Sequence, residues 1–301
     1  GFPLKSEWGE IPNFKCFGYY GGMPKLNLKN PEVEKYITDV ACYWIKECDI
    51  DGWRLDVGDE ISHFFWKNFR KAVKAVKKDL LIIGEIWHYA GDFLEGDEWD
   101  TVMNYPFYLN LIDLLADEKI TVSQFVQNLG YLKGRLHKNC YPLMWNLIDS
   151  HDTARFLHLC NDNKKKQHLA AAFQLLLPGM PMIYYGDEYA MPGANDPDCR
   201  RGMYWEEEYQ DKEMYEWYKR LIQVRKSHAC IVEGELAGIV TEDEEGTVVL
   251  IRKNGEETIV MIFNCSSSAK KFNEYTQKYN LLTENTFDGN VEGFDAAVIV
   301  L

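Results

Sequence analysis

Apolar and polar positions along this chain change their period repeatedly, and each change marks an element. Asn30 and Pro31 form a cap and a first helical turn, after which Val33, Ile37, Val40, Ala41 and Trp44 recur at helical spacing and predict an amphipathic helix. At Asp51 to Val57 the period becomes two, so Trp53, Leu55 and Val57 point to one face of a strand and Arg54 and Asp56 to the other. Ser62 to Lys78 returns to helical spacing, with Phe65, Phe69, Ala72 and Val76 opposite lysines, and the apolar run from Leu80 to Ile83 reads as the next strand. The alternation continues: a short strand from Thr101 to Tyr105, a helix from Phe107 to Ala116, and a helix opened by the capping box of Thr121 and Gln124, with Phe125, Leu129 and Leu132 inward. A strand from Pro142 to Ile148 follows, then a helix from Lys164 to Leu177 that stops before Pro178-Gly179, a strand from Met182 to Tyr185, and a helix from Lys212 to Lys226 with Met214, Trp217, Tyr218, Leu221 and Val224 inward. Such alternation predicts five parallel β/α units. Beyond about Ile231 only short strands remain, at Leu236–Thr241, Val248–Arg252, Thr258–Asn264 and Ala296–Leu301, with Asn254-Gly255 as a hairpin signal, so the tail reads as a small antiparallel β domain.

Composition narrows the function classes. With 301 residues, 46% of them hydrophobic, the chain is long enough for one large domain and a small one. A net charge of -14, relieved only by the solvated Lys164-Lys165-Lys166 cluster, argues against nucleic acid as a partner. No apolar run has the length of a membrane span and the first residues lack a signal-peptide pattern, so a cytoplasmic protein without a membrane partner is expected. Eight cysteines lie scattered without a Cys-x-x-Cys pair, which fits reduced thiols and speaks against structural zinc. There is no Gly-rich phosphate loop, and Asp196-Pro197-Asp198 lacks the ligand spacing of a calcium loop. The expectation is therefore a protein with no required cofactor and no metal ligands, calcium being unsupported by the sequence.

Candidate chemistry sits at the ends of the predicted strands. Asp56 closes the Asp51 strand, Glu85 follows Gly84 at the end of the Leu80 strand, and Asp149-Ser150-His151-Asp152 follows the Leu143 strand. In a parallel α/β barrel, catalytic groups gather at that rim from different strands. Arg54 beside Asp56 would hold that carboxylate ionised, and an apolar strand with Trp87 would favour a neutral acid at Glu85. For Arg54 and Asp56 alone, a structural ion pair is an equal reading; the set of acids favours chemistry. One ionised and one protonated carboxyl about 5 Å apart is what a retaining glycosidase requires.

Five motifs carry a resemblance: Met23-Pro24-Lys25-Leu26-Asn27, Asp51-Gly52-Trp53-Arg54-Leu55-Asp56-Val57, Gly84-Glu85-Ile86-Trp87-His88, Asp149-Ser150-His151-Asp152, and Met182-Ile183-Tyr184-Tyr185-Gly186-Asp187-Glu188. In this order they resemble the α-amylase superfamily of glycoside hydrolases, in its neopullulanase, cyclomaltodextrinase and maltogenic amylase branch. The resemblance implies an α/β fold, a TIM-type (β/α)8 barrel followed by a small antiparallel β-sandwich domain. Here only the later units, about strands 4 to 8, are expected. Residues 1–28 would be a remnant of the loop domain after strand 3, residues 29–231 a partial catalytic barrel, and residues 232–301 the C-terminal β domain. The first three β/α units and the family's early Asp and His motif would lie outside the chain.

The same resemblance implies that Asp56 is the nucleophile, Glu85 the general acid and base, and Asp152 a third carboxylate that steadies the distorted sugar. Arg54 and His151 match supporting positions. Asp196 and Arg200 would bind the sugar on its non-reducing side, the competing reading being a loop salt bridge. Trp87, Tyr105 and Trp205 are candidates for stacking on sugar faces, with rim packing as the alternative; His63 and His88 stay outside the catalytic set. The implied activity is that of a retaining α-glucan hydrolase on α-1,4 bonds, with α-1,6 as a second linkage, in maltooligosaccharides, cyclodextrins or pullulan. A missing amino-terminal part of the enzyme or a second copy is the expected protein partner. The rival reading is a non-catalytic fragment that binds α-glucan or assembles with a complementary chain.

Overall fold

Helices begin where short polar side chains can accept their first free N–H groups. In the computed structural model, which describes residues 5, 6, 9, 10, 12–137 and 139–301, Asn30 accepts from Glu32 N at 2.8 Å and starts α1 (Pro31–Cys48). The chain packs as two units, Gly1–Met103 and Asn104–Leu301.

In the first unit, β1 (Lys5–Ser6) pairs antiparallel with β2 (Gly9–Glu10). After α1 come β3 (Gly52–Leu55), α2 (His63–Val76), β4 (Leu81–Gly84) and β5 (Thr101–Val102). The last three strands form a parallel sheet in the order β3-β4-β5, with Leu55 opposite Gly84 and Gly84 opposite Val102. Asp56 and Val57 thus lie beyond the end of β3, and the strand predicted from Thr101 to Tyr105 stops at Val102. The buried stripe of α1 is rotated from the expected one. Ala41 and Ile45 are buried, while Val40 and Trp44 join Tyr36 and Tyr43 on an exposed face. The helix carries two apolar faces, and the one covered is the one that meets α2, where Asn68 Nδ2 donates to Glu34 Oε1 at 2.7 Å. On α2 the buried set is Phe65, Trp66, Phe69 and Val73, with Val76 exposed.

The second unit opens with α3 (Tyr105–Leu111), which widens into a π turn at Ile112–Ala116 where one continuous helix was predicted. Then follow α4 (Val122–Arg135), β6 (Trp145–Asn146), α5 (Phe156–Leu159), α6 (Lys164–Leu176), β7 (Met180–Pro181), α7 (Lys212–Ser227) and α8 (Ala229–Glu233). The Thr121–Gln124 capping box is present at α4. β6 and β7 pair in parallel. The strand expected at Met182–Tyr185 is displaced to Met180–Pro181, because side chains take over its hydrogen bonding: Gln174 Nε2 donates to Met182 O at 2.8 Å, and Asp187 accepts from Tyr184 N at 3.2 Å.

The tail forms β8 (Glu235–Glu242), β9 (Thr247–Asn254), β10 (Glu257–Asn264), β11 (Lys270–Lys271), β12 (Tyr279–Asn280), β13 (Asn285–Thr286), β14 (Asn290–Val291) and β15 (Asp295–Val300). Six of them make an antiparallel sheet in the order β13-β12-β15-β10-β9-β8, and β11 pairs with β14. The hairpin loop is Gly255-Glu256, since Asn254 pairs with Glu257, and Gly255 takes the positive φ of 61° that the tight turn needs. The sheet shares a core with the helices before it: Val248, Leu250, Met261, Phe263 and Val298 pack with Leu169, Phe173 and Leu221.

Candidate active site

The sequence-predicted residues fall into two groups, one in each unit. In the first unit, the tip of β3 and the tip of β4 are joined by a single guanidinium. Arg54 Nη1 lies 2.5 Å from Asp56 Oδ1 and its Nη2 lies 2.8 Å from Glu85 Oε1. Glu85 is 3% exposed, whereas the Asp56 side chain is 73% exposed. Val57 N donates to Glu85 Oε2 at 2.9 Å, so both oxygens of that buried carboxyl are held. Two backbone features fix this arrangement. Gly84 packs under Trp99, where a Cβ would fall 2.2 Å from Trp99 Cε3, and this lets the chain carry Glu85 past a fully buried indole. Val57 adopts a left-handed conformation, φ 45° and ψ 44°, which a β-branched residue rarely does; that turn aims its N–H at Glu85.

Around this pair the loops are tied together. Lys25 of the Met23-Pro24-Lys25 motif reaches Glu60 Oε2 at 2.6 Å and Glu60 O at 2.9 Å, and Gly18 N donates to Glu60 Oε1 at 2.9 Å. His88 Nε2 meets Asp59 Oδ2 at 3.2 Å, linking the loops after β3 and β4. His63 is bound to the buried Glu98, 2.9 Å from its Oε1, and stacks on Phe93, so it belongs to the scaffold. Trp87 follows β4 in a loop and is 41% exposed, open enough to offer a ring face.

In the second unit, the loop after β6 carries His151 and Asp152. His151 Nε2 lies 3.1 Å from Asp152 Oδ2. Arg200 Nη2 lies 3.0 Å from Asp152 Oδ1, and Arg200 Nε lies 2.8 Å from Asp196 Oδ1 and donates to His151 O at 2.7 Å. The Asp196–Arg200 ion pair is therefore real, and Arg200 also holds the third carboxylate, a link that sequence spacing did not suggest. All four side chains are partly open to solvent, from 32% for Asp152 to 53% for Asp196.

Tyr105 is a correction: it is fully buried at the start of α3, with its hydroxyl 3.1 Å from Ser150 Oγ, and offers no face to a sugar. A tyrosine next to a strand end is as well placed to brace the rim from below as to line it. Trp205 is 78% exposed. Sequence reasoning missed Asp149, Arg155 and Asp187, which form a buried charge cluster behind the His151–Asp152 loop. The signal available for them was only a motif acid and a loop arginine. Among the described residues, no group of three or more His, Cys, Asp or Glu side chains is placed to hold a metal ion, and no helix is long and apolar enough to cross a membrane. Among the described residues, no disulfide joins the cysteines.

The profile of the alpha-amylase catalytic domain matches residues 6–209. A cyclomaltodextrinase of Geobacillus thermopakistaniensis is 45% identical over 268 residues, 89% of this chain and 45% of the relative. Neopullulanase 2 of Thermoactinomyces vulgaris is 42% identical over 242 residues, 80% of this chain and 41% of the relative. The chain thus spans about half the length of the curated relatives it matches. Among solved structures, a cyclomaltodextrinase superposes with a TM-score of 0.90 at 34% identity, covering 96% of this chain and 52% of that one. A cyclic α-maltosyl-(1→6)-maltose hydrolase from Arthrobacter globiformis, in complex with cyclic α-maltosyl-(1→6)-maltose, superposes with a TM-score of 0.85 at 31% identity, covering 100% and 66%. With its catalytic-domain fold and C-terminal antiparallel sheet, this chain belongs to the alpha-amylase family of glycoside hydrolases.

Proposed function

We propose that the chain carries the acid–base machinery of a retaining α-glucan hydrolase acting on α-1,4 bonds, with α-1,6 as a second linkage. The Asp56 carboxylate attacks the anomeric carbon while Glu85 gives its proton to the leaving glycosidic oxygen, so the C–O bond breaks as an aspartyl ester forms. Water then donates a proton to Glu85, its oxygen attacks the same carbon, and the ester is released. Asp152, held by His151 and Arg200, steadies the distorted ring; Arg200 and Asp196 bind its hydroxyls, and Trp87 offers a stacking face. No step needs a cofactor.

The observation that supports this reading most is the Arg54 bridge, which keeps one exposed and one buried carboxyl within the span of a single guanidinium. Glu85 is 3% exposed, with the Arg54 guanidinium against one oxygen and the Val57 N–H donating to the other, a fixed setting for a group that must give and take a proton. The relatives' names supply the substrate class: cyclomaltodextrinase, maltogenic α-amylase and neopullulanase point to cyclodextrins, maltooligosaccharides and pullulan. The name intracellular maltogenic amylase, borne by a Bacillus subtilis relative, supports a cytoplasmic setting. In this reading β3 to β7 are strands 4 to 8 of a (β/α)8 barrel, residues 29–231 its catalytic part, and the preceding units of a longer enzyme, or a second copy, complete it.

The test is sugar release from a cyclodextrin and a maltooligosaccharide by the 301-residue chain, with Glu85→Gln as control and the anomeric form of the first product followed by NMR. Retention of the α-configuration, with a loss of roughly 10²- to 10⁴-fold in the variant, is expected. Inversion of the anomer would remove Asp56 from its role, and binding without turnover by a folded chain would leave a glucan-binding protein.

A further inference from the structure

Behind the His151–Asp152 loop, the second unit buries more acid than base. Asp149 and Arg155 are each 1% exposed and Asp187 is 0% exposed. Arg155 Nη1 donates to Asp187 Oδ1 at 2.9 Å and to Tyr185 O at 2.7 Å, and its guanidinium lies 4.2 Å from the Tyr184 ring centre. Asp187 Oδ2 accepts from Tyr184 N at 3.2 Å. Asp149 Oδ1 accepts from Phe156 N at 2.5 Å, while its Oδ2 is buried with no N–H donor and faces the Asp187 carboxyl at hydrogen-bonding reach. Two carboxyl oxygens can bond to each other only through a proton.

Among the described residues, no second cation is in contact with the pair. Tyr218 faces it from α7, Tyr108 from α3 and Cys160 from the end of α5; burial pushes all three up, Cys160 to about 12, so they stay neutral. Glu188 adds only negative charge, and Gln167 from α6 donates to Asp187 O at 3.1 Å without compensating it. One guanidinium against two buried carboxylates leaves a net charge where desolvation is most costly.

We propose that Asp149 and Asp187 hold one proton between them, and that the neutralised cluster is the positioning device for the His151–Asp152 loop. The proton belongs chiefly to Asp149, because Asp187 has the arginine. Burial and the neighbouring carboxylate drive Asp149 well above the ordinary range, and burial raises Asp187 to about 6. A protonated Asp149 can donate to Asp187 while still accepting from Phe156 N, which closes residues 149–156 into a fixed loop. Inside it, Ser150 N donates to Thr153 Oγ1 at 3.0 Å and Asp152 N to Ser150 Oγ at 3.1 Å; outside it, Arg155 N donates to Gly193 O at 2.9 Å, on the segment leading to Asp196 and Arg200. Removing the proton would set two charges against each other under the residue that holds Asp152 in place.

The sign of the pH effect follows. An acid whose folded state binds its proton more tightly than the unfolded chain contributes stability that is complete below the unfolded range near 3.9, and that stability is lost as pH rises through the folded value. Asp149→Asn keeps the shape, donates to Asp187 and accepts from Phe156, with no proton to lose. The test uses the full chain and needs no turnover, so it stands or falls apart from the glucan hydrolase reading. Infrared spectra at neutral pH are expected to show protonated-carboxyl absorption from which one component is lost in Asp149→Asn. The variant is expected to melt at or above the parent at neutral pH, and the slope of its unfolding free energy against pH, between about pH 5 and about pH 9, to be shallower by the equivalent of up to about one proton. The His151 ring signals in NMR spectra at neutral pH are expected to match the parent in Asp149→Asn and to shift in Asp149→Leu. Absence of that absorption in the parent, an unfolded Asp149→Asn, or an unchanged pH slope in that variant would each overturn the proposal.

Discussion

Each unit of this protein sets one arginine against two acids, and the two clusters have opposite solvent environments. Arg54 links Asp56 and Glu85 at a site where the Asp56 side chain is 73% exposed; Arg155 faces Asp187 and Asp149 where all three are at most 1% exposed. In the open cluster water reaches the Asp56 carboxyl beside its cation and can screen the surplus charge. In the closed cluster nothing but a proton can do so. The same residue inventory thus stands in water at one place and in a dry interior at the other, and burial is what separates the two.

Breaking the closed cluster should have the largest consequence. Arg155→Met leaves Asp187 buried without its cation and is expected to cost about 3–5 kcal/mol, read by urea denaturation; a loss under about 1 kcal/mol would show that the acids had simply neutralised and that the arginine was dispensable. In the open cluster Arg54→Lys offers one ammonium where two carboxyls were bridged. It should leave the fold intact but lower turnover roughly tenfold or more, the worth of one charge-assisted hydrogen bond at about 1.5–3 kcal/mol. Equal damage to stability from both variants would erase the distinction. The finest test is Val57→Gly, which relieves the left-handed backbone strain beside Glu85. It should change stability by no more than about 1 kcal/mol while raising the mobility of the loop, seen as faster amide exchange at residue 57.

Much of the fold was legible because it rests on local chemistry. Caps at Asn30 and Thr121 and the apolar stripe of α7 act within a few residues of themselves, and the structure places them as expected. Strand limits were less legible, since β7 is defined by its pairing with β6 and by Gln174, a side chain on another element. The acids Asp56, Glu85 and Asp152 could be picked out by their position after apolar runs, but that Arg54 reaches both Asp56 and Glu85, and that Arg200 grips Asp152, depends on loops meeting in space. Asp149 lay inside a recognised motif yet gave no hint of its role, because only burial beside Asp187 turns an ordinary carboxyl into a proton store.

One feature of α1 bears on handling of the protein. Tyr36, Val40, Tyr43 and Trp44 stand exposed at positions that share a helical face, and such a stripe offers a copy of itself, or any apolar surface, something to adhere to. Light scattering should rise with concentration and fall when Tyr43 and Trp44 are replaced by serine. Any rate measured on this chain would then carry the dilution at which it was taken, so two laboratories working at different concentrations would be studying different particles.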